Sequence, residues 1–266
     1  MATFMRHSDN KAFQLEKDEA IYKLSKSSTM HELTRSWINQ AAAFRYTYLF
    51  SWLDRPIIQF PQDIVAMQEL IWQVKPDLII ETGIAHGGSL IFSASMLTLL
   101  DVCEAIEEGQ PYDPAASRRK VVGIDIEIRP HNRAAIERHP LYPRIQMIEG
   151  SSIDPAVVDQ VWAIAKRHQK ILVCLDSNHT HDHVLAELQA YAPLVSVGSY
   201  CVVFDTIIED MPAGSFPDRP WDKGNNPKTA VWAFLKDHPE FEIDKSIQHK
   251  LLITVAPDGY LKKIKS

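Results

Sequence analysis

Leu78-Ile79-Ile80-Glu81-Thr82-Gly83-Ile84-Ala85-His86-Gly87-Gly88-Ser89 is the stretch that decides how the chain is read. A short apolar run ends in an acid, a glycine-rich turn follows, and an apolar stretch with helical spacing starts at Ser89 and runs to about Leu100. Four more runs downstream repeat the first half of that pattern. Val121 to Ile124 ends at Asp125, Ile145 to Ile148 at Glu149, Lys170 to Leu175 at Asp176, and Tyr200 to Phe204 at Asp205. Continuously apolar strands alternating with helices predict a parallel sheet covered on both faces. The fold class is therefore α/β.

The tail adds apolar runs at 241–247, 251–256 and 260–264, and Pro257-Asp258-Gly259 between the last two is a hairpin signal. A hairpin added to five parallel strands gives a mostly parallel, seven-stranded sheet. Upstream, residues 9–42 read as one charged helix without Gly or Pro, and residues 44–60 are unusually aromatic. Pro61-Gln62-Asp63 then opens a helix whose face carries Ile64, Met67, Leu70, Ile71 and Val74. We divide the chain into a helical N-terminal extension, residues 1–60, serving as a lid or an oligomer contact, and a main domain, residues 61–266.

Composition limits the function. The 266 residues are 45% hydrophobic and 23% charged, with a net charge of -6. That sign, with no basic stripe, argues against nucleic acid. Three scattered cysteines make no disulfide framework, which fits a reducing, cytoplasmic setting. Met1 to Lys17 has no signal-peptide h-region, and no apolar stretch reads as a membrane span.

In open α/β sheets ligands bind at the carboxyl ends of the strands. An acid at five successive strand ends is rare by chance, although acids also favour helix N-termini. Gly83 permits a tight turn, and Gly87 and Gly88 permit close approach of a ligand to backbone. The spacing is not GxGxxG, which argues against a dinucleotide pyrophosphate and suits S-adenosylmethionine, whose methionine end carries no phosphate. On this reading Glu81, Gly83, His86, Gly87 and Ser89 bind the cofactor, and Asp125 accepts from its ribose. Gly150-Ser151-Ser152 borders the adenine, unless the serines only cap the helix at Pro155. Asp176-Ser177-Asn178-His179-Thr180-His181-Asp182-His183 is a second site. Asp176, also placed beside the cofactor, joins Asp205 as a pair of magnesium ligands. Zinc is disfavoured because no cysteine follows in that loop. His179 is the candidate general base, since imidazole exchanges protons near neutral pH. The loop from Met211 to Pro227 is long and irregular, and its Trp221 is placed to stack on a sugar face.

The residues Arg55 to Pro61, Glu81 to Ser89, Leu175 to His179 running into Asp182-His183-Val184, and Gly198-Ser199-Tyr200 with Asp205-Thr206 carry a resemblance. The chain resembles the cephalosporin hydroxylase family, a misnamed group of S-adenosylmethionine-dependent O-methyltransferases that includes rhamnosyl O-methyltransferases. The resemblance covers roughly residues 45–264. It implies a Rossmann-like class I methyltransferase fold, a sugar, glycolipid or small natural-product hydroxyl as acceptor, and a homo-oligomer. It also implies a metal-binding Asp at the end of strand four with a base three residues later, the spacing of Asp176 and His179. Relatives often carry two acids at the end of strand five. Here Phe204 precedes Asp205, so one expected ligand is absent, and Thr206, Glu209 and Asp210 are the candidates to replace it. The competing readings are an NAD-using oxidoreductase and a ligand-binding relative without catalysis.

Overall fold

The computed structural model describes residues 2–265. Five parallel strands form the centre of one sheet: β3 (Leu78–Thr82), β4 (Lys120–Asp125), β5 (Ile145–Glu149), β6 (Ile171–Leu175) and β7 (Tyr200–Val203). The strand order is β5-β4-β3-β6-β7-β9-β8, with β8 (Phe241–Ile243) and β9 (Tyr260–Lys263) closing one edge. β9 runs antiparallel to both β7 and β8. The chain moves outward from β3 to β5, then returns to the other side of β3 as β6. Connections after β3 and β6 therefore diverge, and a crevice opens at that switch point.

The inner strands β3, β4, β6 and β7 are buried on both faces, as their apolar runs require, while the edge strand β5 leaves Gln146 and Glu149 exposed. Ile79, Val121, Leu172 and Val202 face one core, shared with α3 (Pro61–Val74) and α4 (Gly88–Glu108). Leu78, Ile80, Val122 and Val173 face the other, with residues of α6 (Pro155–Ala165), α7 (His181–Tyr191) and α8 (Pro227–Phe234). α5 (Pro130–Glu137) follows β4.

The structure departs from expectation at three places. Helix α4 runs to Glu108, since nothing stops it before Gly109, whose φ of +66° closes the last turn. With 21 residues it is long and apolar enough to cross a membrane, but Leu90, Ile91, Ala94 and Leu97 are fully buried in the sheet core. In the tail, residues 251–256 are not a strand. Asp244 accepts from the Ser246 amide and caps α9 (Lys245–Leu251), which turns the expected hairpin into strand, helix, strand. Gly259 serves close approach instead: a Cβ there would lie 2.1 Å from the Val203 carbonyl oxygen. Upstream, Ser27 interrupts the expected single helix, accepting from Met30 N at 3.3 Å and separating α1 (Ala2–Lys26) from α2 (Ser28–Ala42).

The aromatic run forms a small hairpin, β1 (Phe50–Trp52) and β2 (Arg55–Ile57). Its two turn residues, Leu53 and Asp54, both have positive φ, the geometry of a tight two-residue turn. Trp52 donates from Nε1 to Ser95 Oγ at 3.0 Å and sets its ring edge-on to Phe92, which seats the hairpin on α4.

Candidate active site

The glycine turn lies between β3 and α4, next to the β6 tip. Gly83 has a φ of +89°, and a Cβ there would stand 2.0 Å from the carbonyl oxygen of Asp176. Its hydrogen is what lets the β3 and β6 ends meet. Gly87 is the N-cap of α4, with its Cβ direction filled by Ile136 at 2.4 Å. The Cβ direction of Gly88 is filled by the Pro56 carbonyl at 2.2 Å. Both therefore admit the protein's own residues, where the sequence reading gave that space to a ligand. Asp125 Oδ2 accepts from Ile84 N at 2.8 Å and Ala85 N at 3.2 Å, so it ties the turn to the β4 tip. His86 is half-buried at the crest of the turn.

Glu81 is 4% exposed and accepts from the Ser89 hydroxyl. Burial pushes its carboxyl up to about 7, with the Ser89 bond opposing. It lines a cavity of about 20 Å³ together with Gln59, Phe92, Asp176 and Phe204, room for about one water. Gln59 Nε2 sits 3.5 Å from Asp176 Oδ2, while the buried Gln59 Oε1 finds no partner among the described residues.

Asp176, His179 and Asp205 come together. One ligand atom from each lies within 4.8 Å of the others. His179 Nε2 is 3.2 Å from Asp205 Oδ2, and the His179 ring meets Trp221 edge-on at 4.7 Å. Asp205 holds a φ of +55°, a left-handed conformation unusual for a residue with a side chain and typical of functional sites. Burial pushes the Asp176 carboxyl well above the usual range, and the charges of Asp205, Glu81, Glu187 and Asp63 push it further. Several acids share this region without a basic side chain among the causes of that shift, so the donors fit a divalent cation with remaining positions for water or substrate oxygen. The three candidates to replace the missing acid are committed elsewhere. Thr206 Oγ1 donates to Pro257 O at 2.7 Å, Glu209 Oε2 accepts from Gly224 N and Asn226 Nδ2, and Asp210 pairs with Lys228.

Not every strand-end acid faces this cleft. Glu149 pairs with Arg133 at 2.7 Å, with 49% of its side chain exposed. Gly150 donates from its amide to Asp125 O at 2.8 Å, holding the β5 loop beside β4, and Ser151 is half-buried. Ser152 turns its hydroxyl inward to Glu187 Oε1 at 2.5 Å, and Ser177 donates to the same oxygen at 2.6 Å. His183 Nε2 lies 3.0 Å from Ser152 Oγ. Sequence reasoning missed Gln59 and Glu187. Glu187 stands among helix residues of ordinary polarity, and only the packed fold shows it 0% exposed.

A central parallel sheet with this switch point, a glycine turn after its middle strand and an Asp–His–Asp cluster at the adjoining tips define a Rossmann-like methyltransferase. The family described as rhamnosyl O-methyltransferase/CmcI matches residues 44–264. Rhamnosyl O-methyltransferase of Mycobacterium tuberculosis (strain H37Rv) is 31% identical over 201 residues, 75% of this chain and 72% of that protein. The protein of the same name from Mycobacterium leprae is 30% identical over 213 residues, 79% of this chain and 82% of that protein. Among solved structures, apo CmcI superposes with a TM-score of 0.53 at 15% identity, covering 82% of this chain and 78% of that one. A CmcI structure with magnesium and S-adenosylmethionine gives 0.50 at 14% identity, with the same coverage. The structural matches establish the fold. The chain belongs to the rhamnosyl O-methyltransferase/CmcI family, and it is an S-adenosylmethionine-dependent O-methyltransferase.

Proposed function

We propose that this enzyme methylates a hydroxyl of a sugar, glycolipid or glycosylated small molecule, with His179 as base and a magnesium ion on Asp176 and Asp205. The observation that carries the reading is the convergence of Asp176, His179 and Asp205 beside the glycine turn. The names of the mycobacterial relatives support a sugar acceptor, and the magnesium in one CmcI structure supports the metal.

S-adenosylmethionine brings an electrophilic methyl group, so the chain's own work is alignment and proton removal. Gly83 to Ser89 and Asp125 hold the cofactor side of the crevice. A divalent ion supplies Lewis acidity that lowers the pKa of a bound hydroxyl. The high proton affinity of Asp176 follows first from burial and then from the crowded acids around it, and the negative field of those acids also favours a cation. Asp205 holds His179 through Nε2, and the hydroxyl proton goes to the imidazole nitrogen that is left unprotonated, Nδ1. Trp221 closes one side of the imidazole and offers an aromatic face to a sugar ring.

The test is methyl transfer from labelled S-adenosylmethionine to a panel of rhamnosyl and other glycosyl acceptors, with and without magnesium. Asp176→Asn and His179→Ala each lower kcat by about a hundredfold or more. Full activity in both variants, or in the presence of a chelator, rejects the assignment of metal and base.

A further inference from the structure

The turn that follows β3 is held in an unfavourable shape. Between Gly83 and Gly87, Ala85 has a φ of +46°, a left-handed conformation that crowds a Cβ. Three elements grip it. From β4, Asp125 takes the amides of Ile84 and Ala85. From α5, Asn132 Nδ2 donates to the Ala85 carbonyl at 2.8 Å. From β2, Arg55 Nε donates to the His86 carbonyl at 2.9 Å, and its Nη2 donates to Asn132 Oδ1 at 3.1 Å. Arg55 and Asn132 thus orient one another and draw two successive carbonyls of the turn to their own side. Asn132 is 3% exposed, so these bonds form out of competition with water. The hairpin that carries Arg55 is seated on the turn itself, because Gly88 leaves no room for a Cβ above Pro56.

We propose that Arg55 and Asn132 are positioning residues for the methyl donor, keeping residues 83–87 in the one conformation that binds it. The inference rests on the reading that this turn holds S-adenosylmethionine. A ligand whose site is formed only part of the time loses affinity by the fraction of time the site is absent. Losing the clamp therefore acts on cofactor binding more than on the methyl-transfer step.

Arg55→Gln, Asn132→Ala, the double variant and Arg55→Gln/Ala85→Gly test this by calorimetry with S-adenosylhomocysteine, steady-state kinetics and amide exchange of the free chain. Each single variant weakens binding by about tenfold or more, and the cofactor KM rises further than kcat falls. The double variant is little worse than the poorer single one, because the two side chains act as one unit. Ala85→Gly recovers much of the lost affinity in the Arg55→Gln chain, since glycine adopts positive φ without strain. A merely structural role would show additive losses and no such rescue. Affinities within twofold of the native chain in both single variants overturn the proposal, and so does additive loss without rescue. Exchange at Ile84 and Ala85 speeds up in Arg55→Gln without any ligand. A native chain that binds no S-adenosylhomocysteine removes the cofactor reading, whereas unchanged exchange at these two amides removes the clamp.

Discussion

Glu81 is a carboxylic acid at the end of a fully buried strand, with a single serine hydroxyl for company. With its folded pKa near 7 against an ordinary 4.5, it binds its proton more tightly in the folded chain than in the unfolded one. Its contribution to stability is therefore complete below about pH 4.5 and is lost as pH rises through 7. The size is roughly 3 kcal/mol, from 2.5 pKa differences at ~1.36 kcal/mol each. Asp63, raised to about 6 chiefly by burial, adds a change of the same sign. Urea denaturation of the cofactor-free chain and of Glu81→Gln at pH 5 and pH 8 separates the two, because Asp63 is common to both. The native chain loses more stability over this interval than the variant. Parallel losses would mean that Glu81 is already ionised at pH 5. At this scale the sequence was partly legible. The glycines and strand-tip acids could be named from spacing alone, and Asp176, His179 and Asp205 do converge. What each glycine faces was hidden, since Pro56 and Ile136 reach the turn only after a hairpin and a helix far along the chain have folded onto it. Ser152 was hidden for the same reason: its partner Glu187 lies on α7, 35 residues further along the chain.

At the scale of elements, the four inner parallel strands were legible because burial on both faces demands an apolar run, a signal that needs no knowledge of neighbours, whereas β5, with Gln146 exposed at the sheet edge, was legible only from its place in the alternation. The tail was not. Residues 251–256 have the composition of a strand but pair with no other strand, and the polar group that fixes them sits almost two hundred residues upstream. Asp63, in the first turn of α3, accepts from the Thr254 hydroxyl, from Val255 N at 2.9 Å and from Tyr260 OH at 2.7 Å. This buried carboxylate fastens the last connection to the helix that precedes the sheet. Asp63→Ala leaves an amide and a phenol buried without their acceptor and opens a small void. The expected loss is about 3 kcal/mol or more in thermal or denaturant unfolding. Asp63→Asn keeps the volume and part of the bonding, so it loses less. Equal losses in the two variants would show that packing at this position matters and its hydrogen bonds do not.

For the whole molecule, the N-terminal region stands apart in its surface. Among the described residues, nine exposed large apolar side chains, Phe13, Leu15, Tyr22, Leu33, Trp37, Phe44, Tyr48, Leu49 and Leu53, fall within the first fifth of the sequence, against ten spread over the other four fifths. Apolar exposure concentrated in one region of a chain marks an association surface more often than it marks chance. α1 meets the rest of the molecule mainly at α9. The family match begins at residue 44, and the hairpin that braces the glycine turn lies beyond that point. Five of the nine, from Phe13 to Trp37, precede that point, and we propose that self-association runs through them rather than through the turn that binds the cofactor. A protein beginning at residue 44 should bind S-adenosylhomocysteine with an affinity within a few-fold of the full chain, yet sediment as a smaller species at equal concentration. If the shortened protein sediments as the same oligomer, association runs through another face. If it loses its cofactor affinity, residues 1–43 support the catalytic crevice and the two roles are not separable.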